Sequence, residues 1–175
     1  MNIVVGVSGG IAAYKTCTAV SRLVGAGHAV RVTMTHWATK FVGPDTFRSL
    51  TGQYVATRLF DPRCPWSNEH IGLADWADRL VIAPATADIL GKLAHGVTDD
   101  IVTCAVYATK APVTLAPAMN DNMFAHPIVQ RNIEILKEIG YRIVDPGTGR
   151  LACGREGKGR MAEPEEIVAA VLGDS

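Results

Sequence analysis

The chain begins with an apolar run at residues 3–7, closed by Ser8-Gly9-Gly10, and this pattern predicts a buried strand ending in a glycine turn. Residues 11–24 carry neither glycine nor proline and stop at Gly25 and Gly27, which predicts a helix with a glycine stop. Residues 29–35 alternate and are rich in β-branched side chains, so a second strand follows. A strand–helix–strand unit of this kind is parallel and right-handed by default. The pattern then repeats. Strands are expected at 79–83, 113–116 and 141–144, and helices at 87–94, 99–109, 127–139 and 164–172. Asp99 and Asp100 suit the positive end of a helix dipole, and Pro164 suits a first helical position. The alternation predicts one doubly wound, Rossmann/flavodoxin-like α/β domain of three layers around a parallel sheet, spanning 1–175. Residues 61–68, with two prolines, and 145–160, with five glycines, fit no element.

Composition narrows the class of function. The chain has 175 residues, 48% of them hydrophobic, a length suited to one domain with a substantial core. Seventeen Lys+Arg balance seventeen Asp+Glu, so neither nucleic acid nor an anionic membrane is an expected partner. No basic, apolar leader is visible, and no apolar run approaches the length of a membrane span. Cys17, Cys64, Cys104 and Cys153 form no C-x-x-C pair, so no metal site is expected. They are expected to be reduced thiols in a cytoplasmic protein.

Ligands of open α/β sheets bind beyond the carboxyl ends of the strands, and the unusual residues of this chain cluster there. Ser8-Gly9-Gly10, Thr35-His36, Pro84-Ala85-Thr86 and Pro117-Ala118-Met119-Asn120 each follow a strand. The first turn is not G-x-G-x-x-G, and no acidic residue ends the second strand, which disfavours a dinucleotide. A glycine turn opening a helix suits a single phosphate, with Ser8 and Thr35 as added hydroxyl donors, as FMN would require. A turn that merely fits strand to helix remains the alternative. The glycine-rich stretch at about 147–161 fails the P-loop pattern, because Gly159 follows Lys158 where Ser or Thr is needed. With Arg150, Arg155, Lys158 and Arg160 it reads either as a flap over an anionic ligand or as a solvated loop. His70 precedes Ile71, Leu73 and Trp76, which can anchor a short helix; from spacing alone, a structural histidine is the simpler reading.

Five segments, in order, carry a resemblance: Gly6-Val-Ser-Gly-Gly-Ile-Ala-Ala-Tyr-Lys15, His70-Ile-x-Leu-x-x-Trp-Ala-Asp78, Ala83-Pro-Ala-Thr-Ala-Asp88, Pro117-Ala-Met-Asn-x-x-Met123 and Ala152-Cys-Gly-x-x-Gly-x-Gly-Arg-Met161. Together they resemble the homo-oligomeric flavin-containing cysteine decarboxylase family. The resemblance implies bound FMN, an oligomer built from trimers, and decarboxylation of 4′-phosphopantothenoyl-L-cysteine to 4′-phosphopantetheine in coenzyme A biosynthesis. A phosphopantothenate–cysteine ligase is the implied partner. In some members the flap of one subunit and the histidine of another meet around one flavin.

The family pattern implies roles by position. His70 and Cys153 become catalytic, and Asn120, Ala152 and Met161 bind substrate. Ser8, Gly9, Gly10, Thr35, Phe41, Ala85, Thr86, Asp88, Ala118 and Met119 hold the cofactor. Asp88 departs from the asparagine of many relatives. The implied chemistry explains the residue types. Oxidising the carbon that bears the thiol creates an electron sink, so the neighbouring carboxylate can leave as CO2. His70 assists this half, Asn120 orients the carboxylate, and Cys153 donates a proton in the reductive half. The basic residues Arg155 and Lys158 are expected to face the substrate phosphate. Three related activities remain as alternatives: decarboxylation of a peptide C-terminal cysteine, flavin prenyl transfer, and non-catalytic FMN-binding regulation.

Overall fold

The computed structural model describes residues 1–65, 69–150 and 154–173. Six parallel strands form the central sheet: β1 (Asn2–Val7), β2 (Ala29–Met34), β3 (Val55–Ala56), β4 (Arg79–Ala85), β5 (Val113–Pro117) and β6 (Arg142–Ile143). Their order is β3-β2-β1-β4-β5-β6, which reverses direction between β1 and β4. The doubly wound expectation is therefore met, and that reversal is where such sheets open a ligand crevice.

Strand side chains alternate between two cores. Ile3, Val5 and Val7 pack on one face with Leu23 of α1 (Ala13–Gly25), Phe47 of α2 (Pro44–Thr51) and Ile167 of α8 (Pro164–Leu172). Val4, Leu80, Ile82 and Leu115 pack on the other. There they meet α3 (Glu69–Trp76), α4 (Ala87–His95), α5 (Ile101–Ala108) and α7 (Pro127–Glu138). Both faces being covered explains why the strands read as unbroken apolar runs.

Several elements escaped the periodicity argument. Helix α2 is one, although it carries proline in its first turn and ends on Gly52 at φ 67°, both ordinary boundary signals. Strand β3 has two residues, too short for a pattern, whereas β6 lies within the strand expected at 141–144. Helix α6 (Asp121–Ala125) is a single short turn capped by Asn120, whose Oδ1 accepts the N–H groups of Asn122 and Met123. The glycine-rich stretch is an antiparallel hairpin, β7 (Gly147–Arg150) with β8 (Glu156–Arg160), separate from the main sheet. Its glycines erase any alternation of apolar and polar side chains, so no strand signal survives in the sequence.

Candidate functional site

Three strand ends and the hairpin enclose one cleft of about 940 Å3. Gly9 and Gly10 come from the turn after β1, Thr86 and Asp88 from the end of β4, and Ala118, Met119 and Asn120 from the end of β5. Ile11 in the turn before α1, and Tyr14 and Lys15 on its first turn, line it further, with Met123 of α6. Arg150, Arg160 and Met161 close it from the hairpin.

Local chemistry fixes these walls. Ser8 is buried, and its Oγ donates to the Pro84 carbonyl (2.7 Å) and accepts the Thr86 N–H (3.2 Å). The Thr16 hydroxyl donates to the Ala83 carbonyl (2.7 Å), pinning α1 to β4. A Cβ on Gly9 would lie 2.4 Å from Cβ of Trp37, so only glycine fits that approach. Gly159 has φ 146°, and a Cβ there would meet the Met119 carbonyl oxygen at 2.4 Å. Without it, β8 lies flat on the β5 loop and the Met119 N–H reaches the Gly159 carbonyl at 2.9 Å.

Electrostatics lock the base of the hairpin. The Lys15 ammonium, almost buried, donates to the Met161 carbonyl (3.3 Å) and to Glu163 Oε1 (2.9 Å). Arg160 donates to the same Glu163 oxygen at 2.9 Å. The hydrogen bond from Lys15, opposed by burial but aided by the nearby charges of Lys15 and Arg160, holds the Glu163 carboxyl below its ordinary pKa. On the opposite rim Lys92 bridges Asp88 (3.4 Å), Asp99 (3.0 Å) and Asp100 (3.3 Å). Burial works against the Lys92 charge, yet the three carboxylates outweigh it and raise its pKa.

Of the expected cofactor residues, Gly9, Gly10, Thr86, Asp88, Ala118 and Met119 share the cleft. Ser8 and Ala85 lie buried and do not line it. Thr35 does not line it either; its hydroxyl accepts the Ala38 N–H at 3.2 Å. Phe41 is 50% exposed and is not among the cleft residues. Asn120 and Met161 are in the cleft, whereas Ala152 and Cys153 fall outside the described residues. His70 sits on α3 away from the cleft, and its buried Nδ1 has no hydrogen-bond partner among the described residues.

The expectation for Arg155 and Lys158 is corrected. Arg155 pairs with Asp121 at 3.0 Å, and Lys158 stands over the Phe124 ring at 5.6 Å. Both cations are spent on docking the hairpin to α6, and neither lines the cleft. The cleft roles of Ile11, Tyr14 and Lys15 were missed by the strand-end argument, although their i, i+3, i+4 spacing already placed them on one helical face.

A second anchored acid lies before α3. Asp61 is buried and held by Arg63 (2.8 Å), the Tyr54 hydroxyl (2.7 Å) and Arg58 (3.3 Å). Arg63 first, then Tyr54, hold its carboxyl well below the usual range, while burial and then Asp61 push the Tyr54 phenol up to about 12.

Comparison with known proteins agrees with this architecture. The chain is 50% identical over 167 residues to the coenzyme A biosynthesis bifunctional protein CoaBC of Bacillus subtilis, covering 95% of this chain and 41% of that protein. Against the same protein of Vibrio cholerae the identity is 46%, covering 95% and 42%. The chain thus spans about two fifths of the length of these relatives. Among solved structures, a mutant PPC decarboxylase complexed with pantothenoylaminoethenethiol superposes with TM-score 0.85 at 32% identity, covering 99% of this chain and 98% of that one. The FMN-dependent cysteine decarboxylase SpaF superposes with TM-score 0.84, also at 32% identity, covering 99% and 96%. The family model described as Flavoprotein matches residues 1–174, and with the sheet order and switch-point cleft in agreement, the chain belongs to the flavoprotein family.

Proposed function

We propose that this chain is an FMN-dependent decarboxylase that converts 4′-phosphopantothenoyl-L-cysteine to 4′-phosphopantetheine and CO2, a step of coenzyme A biosynthesis. One observation carries the reading: the glycine turn, Asn120 and a basic hairpin converge on a single cleft at the sheet's switch point. Its volume of about 940 Å3 is at the upper end of ligand sites, which run roughly 300–1,000 Å3, and leaves room for a cofactor beside a substrate.

The residues fit FMN. The first N–H groups of α1 donate to the carbonyls of Gly10, Ile11 and Ala12, so it is the glycine turn before the helix, backed by the positive end of a dipole with no acid in its first turn, that suits a phosphate. Gly9 and Gly10 leave that turn bare of side chains, and Ser8 holds it from beneath. Ala118 and Met119 offer apolar surface to a planar ring, with Thr86 and Asp88 as polar partners. Bound there, FMN supplies a reversible two-electron acceptor for the cysteine side chain.

The chain's own side chains orient and protonate. Asn120, whose oxygen accepts the N–H groups of α6, lines the cleft and orients the substrate carboxylate. Met161 and Ala152 bind the substrate. His70 moves a proton during oxidation and decarboxylation, and Cys153 returns one during reduction. Because His70 lies outside the cleft of its own chain, it serves the cleft of a neighbouring copy in an oligomer built from trimers. A phosphopantothenate–cysteine ligase supplies the substrate. Among the described residues no helix is long and apolar enough to cross a membrane.

The test is direct. Purified protein should be yellow, release FMN on denaturation, and produce 4′-phosphopantetheine by mass when given the phosphorylated cysteine conjugate anaerobically. Colourless protein that cannot be reconstituted with FMN, or a flavoprotein inert toward that conjugate, overturns the reading. Similarity to SpaF makes a peptide ending in cysteine the proper comparison substrate. Faster turnover of the peptide would move the assignment to that class.

A further inference from the structure

Among the described residues, four charged side chains line the cleft: Lys15, Asp88, Arg150 and Arg160. Asp88 on one rim shares Lys92, one helical turn away, with Asp99 and Asp100. The hairpin end is different. Lys15 and Arg160 share one oxygen of Glu163, each at 2.9 Å, and among the described residues that carboxylate is the only anion paired with either of them. Arg150 has no counter-ion among the described residues. Three cations therefore stand against one carboxylate at this end of an otherwise apolar cleft.

Both arginines line the cleft from the hairpin. Gly149 has no side chain, and Nη1 of Arg160 lies 3.5 Å from where its Cβ would be. Arg160 thus crosses the hairpin beside the residue that precedes Arg150. Its side chain remains 44% exposed, so it is open to a ligand. The other basic residues of the segment are engaged elsewhere, Arg155 with Asp121 and Lys158 over Phe124. A phosphate monoester carries about −1.5 to −2 charges near neutrality, close to the positive surplus here. Planar guanidinium forks match its oxygens better than a lysine does.

We infer that Arg150 and Arg160 form a phosphate clamp that selects the phosphorylated cysteine conjugate over its unphosphorylated counterpart. This deepens the proposed function and rests on it. The phosphate of the substrate and that of FMN share the same chemistry, and position favours the substrate. Strand β8 docks on Met119 and Asn120, the wall where the substrate carboxylate is held, while the glycine turn and α1 provide for the cofactor. A substrate reaching from Asn120 along the hairpin ends at the two arginines.

The experiment compares kcat/KM for 4′-phosphopantothenoyl-L-cysteine and for pantothenoyl-L-cysteine in the wild type, Arg150→Gln, Arg160→Gln and Arg150→Lys. FMN content and circular dichroism are recorded for each. Wild type should prefer the phosphorylated conjugate. Each glutamine variant should lower that preference on the order of ten- to hundredfold, mainly through KM, with Arg150→Lys intermediate and FMN content retained. Calorimetric titration with 4′-phosphopantetheine and pantetheine gives the same comparison without turnover. The clamp is overturned if the folded variants keep the wild-type preference, or if they lose FMN while the preference stands, which would assign the arginines to the cofactor. A wild type that turns over neither conjugate defeats the proposed function instead, and the calorimetric preference for the phosphorylated ligand then decides the clamp by itself.

Discussion

The Met119 N–H donates to the Gly159 carbonyl across 2.9 Å, and this bond ties the end of β5 to the hairpin that closes the cleft. The approach is possible because position 159 has no Cβ and holds φ 146°. Gly159→Ala must shift the hairpin, at a cost of about 1–3 kcal/mol for the strained backbone alone. The main sheet does not include the hairpin, so the thermal midpoint should change little. Turnover should fall at least about tenfold, the equivalent of 1.4 kcal/mol, and amides of β8 should exchange faster with deuterium. An unchanged rate with unchanged exchange would show that hairpin docking is not needed.

Asn120 combines a helix cap with a place in the cleft. Aspartate caps a helix as well as asparagine does, so Asn120→Asp should fold with the wild-type melting temperature. The added charge would repel a substrate carboxylate, and turnover should drop on the order of 10²-fold or more. Rapid mixing of oxidised enzyme with substrate, followed at the flavin absorbance, checks this. Flavin bleaching at the wild-type rate would remove Asn120 from carboxylate positioning.

The Glu163 carboxyl is held below its ordinary pKa, first by the Lys15 hydrogen bond. A lowered folded-state value means the carboxylate stabilises the fold above the ordinary value of 4.5, and the contribution disappears as pH falls through the lowered value. Glu163→Gln should therefore melt below wild type at pH 7, and the gap should close in acid. Melting curves taken from pH 7 to 3 measure it. A gap that is constant over that range would mean the ion pair with Lys15 contributes nothing to stability.

Asp61 and Tyr54 report on each other. The Tyr54 phenol is raised to about 12, by burial first and by Asp61 second. In Asp61→Asn the burial contribution stays and the charge goes, so the phenol should titrate between the ordinary 10 and 12. Spectrophotometric titration of the variant against wild type should show one tyrosine moving down. No movement would mean that the hydrogen bond from the Tyr54 hydroxyl to the Asp61 carboxylate, at 2.7 Å, does not govern Tyr54.

How far the sequence carried the structure differs from element to element. Strands β1, β2, β4 and β5 are long, buried on both faces and β-branched, so their positions were legible within a few residues. Helix α2 was missed even though its proline start and glycine stop are local signals, because only one of its residues, Phe47, is fully buried and no apolar stripe marks it. Of the site, the strand-end turns were legible because the doubly wound topology dictates where they meet.

The apolar runs, the glycine turns and the order of strands and helices by themselves determined a doubly wound sheet with a crevice at its switch point, since periodicity is a local property of the chain. Only the tertiary structure decided which cations face that crevice. Arg150 and Arg160 differ from Arg155 and Lys158 in no sequence pattern; they differ in what lies across from them, Asp121 and Phe124 on α6 for one pair and the open cleft for the other. Such assignments depend on contacts between segments tens of residues apart, and a linear pattern holds no record of those.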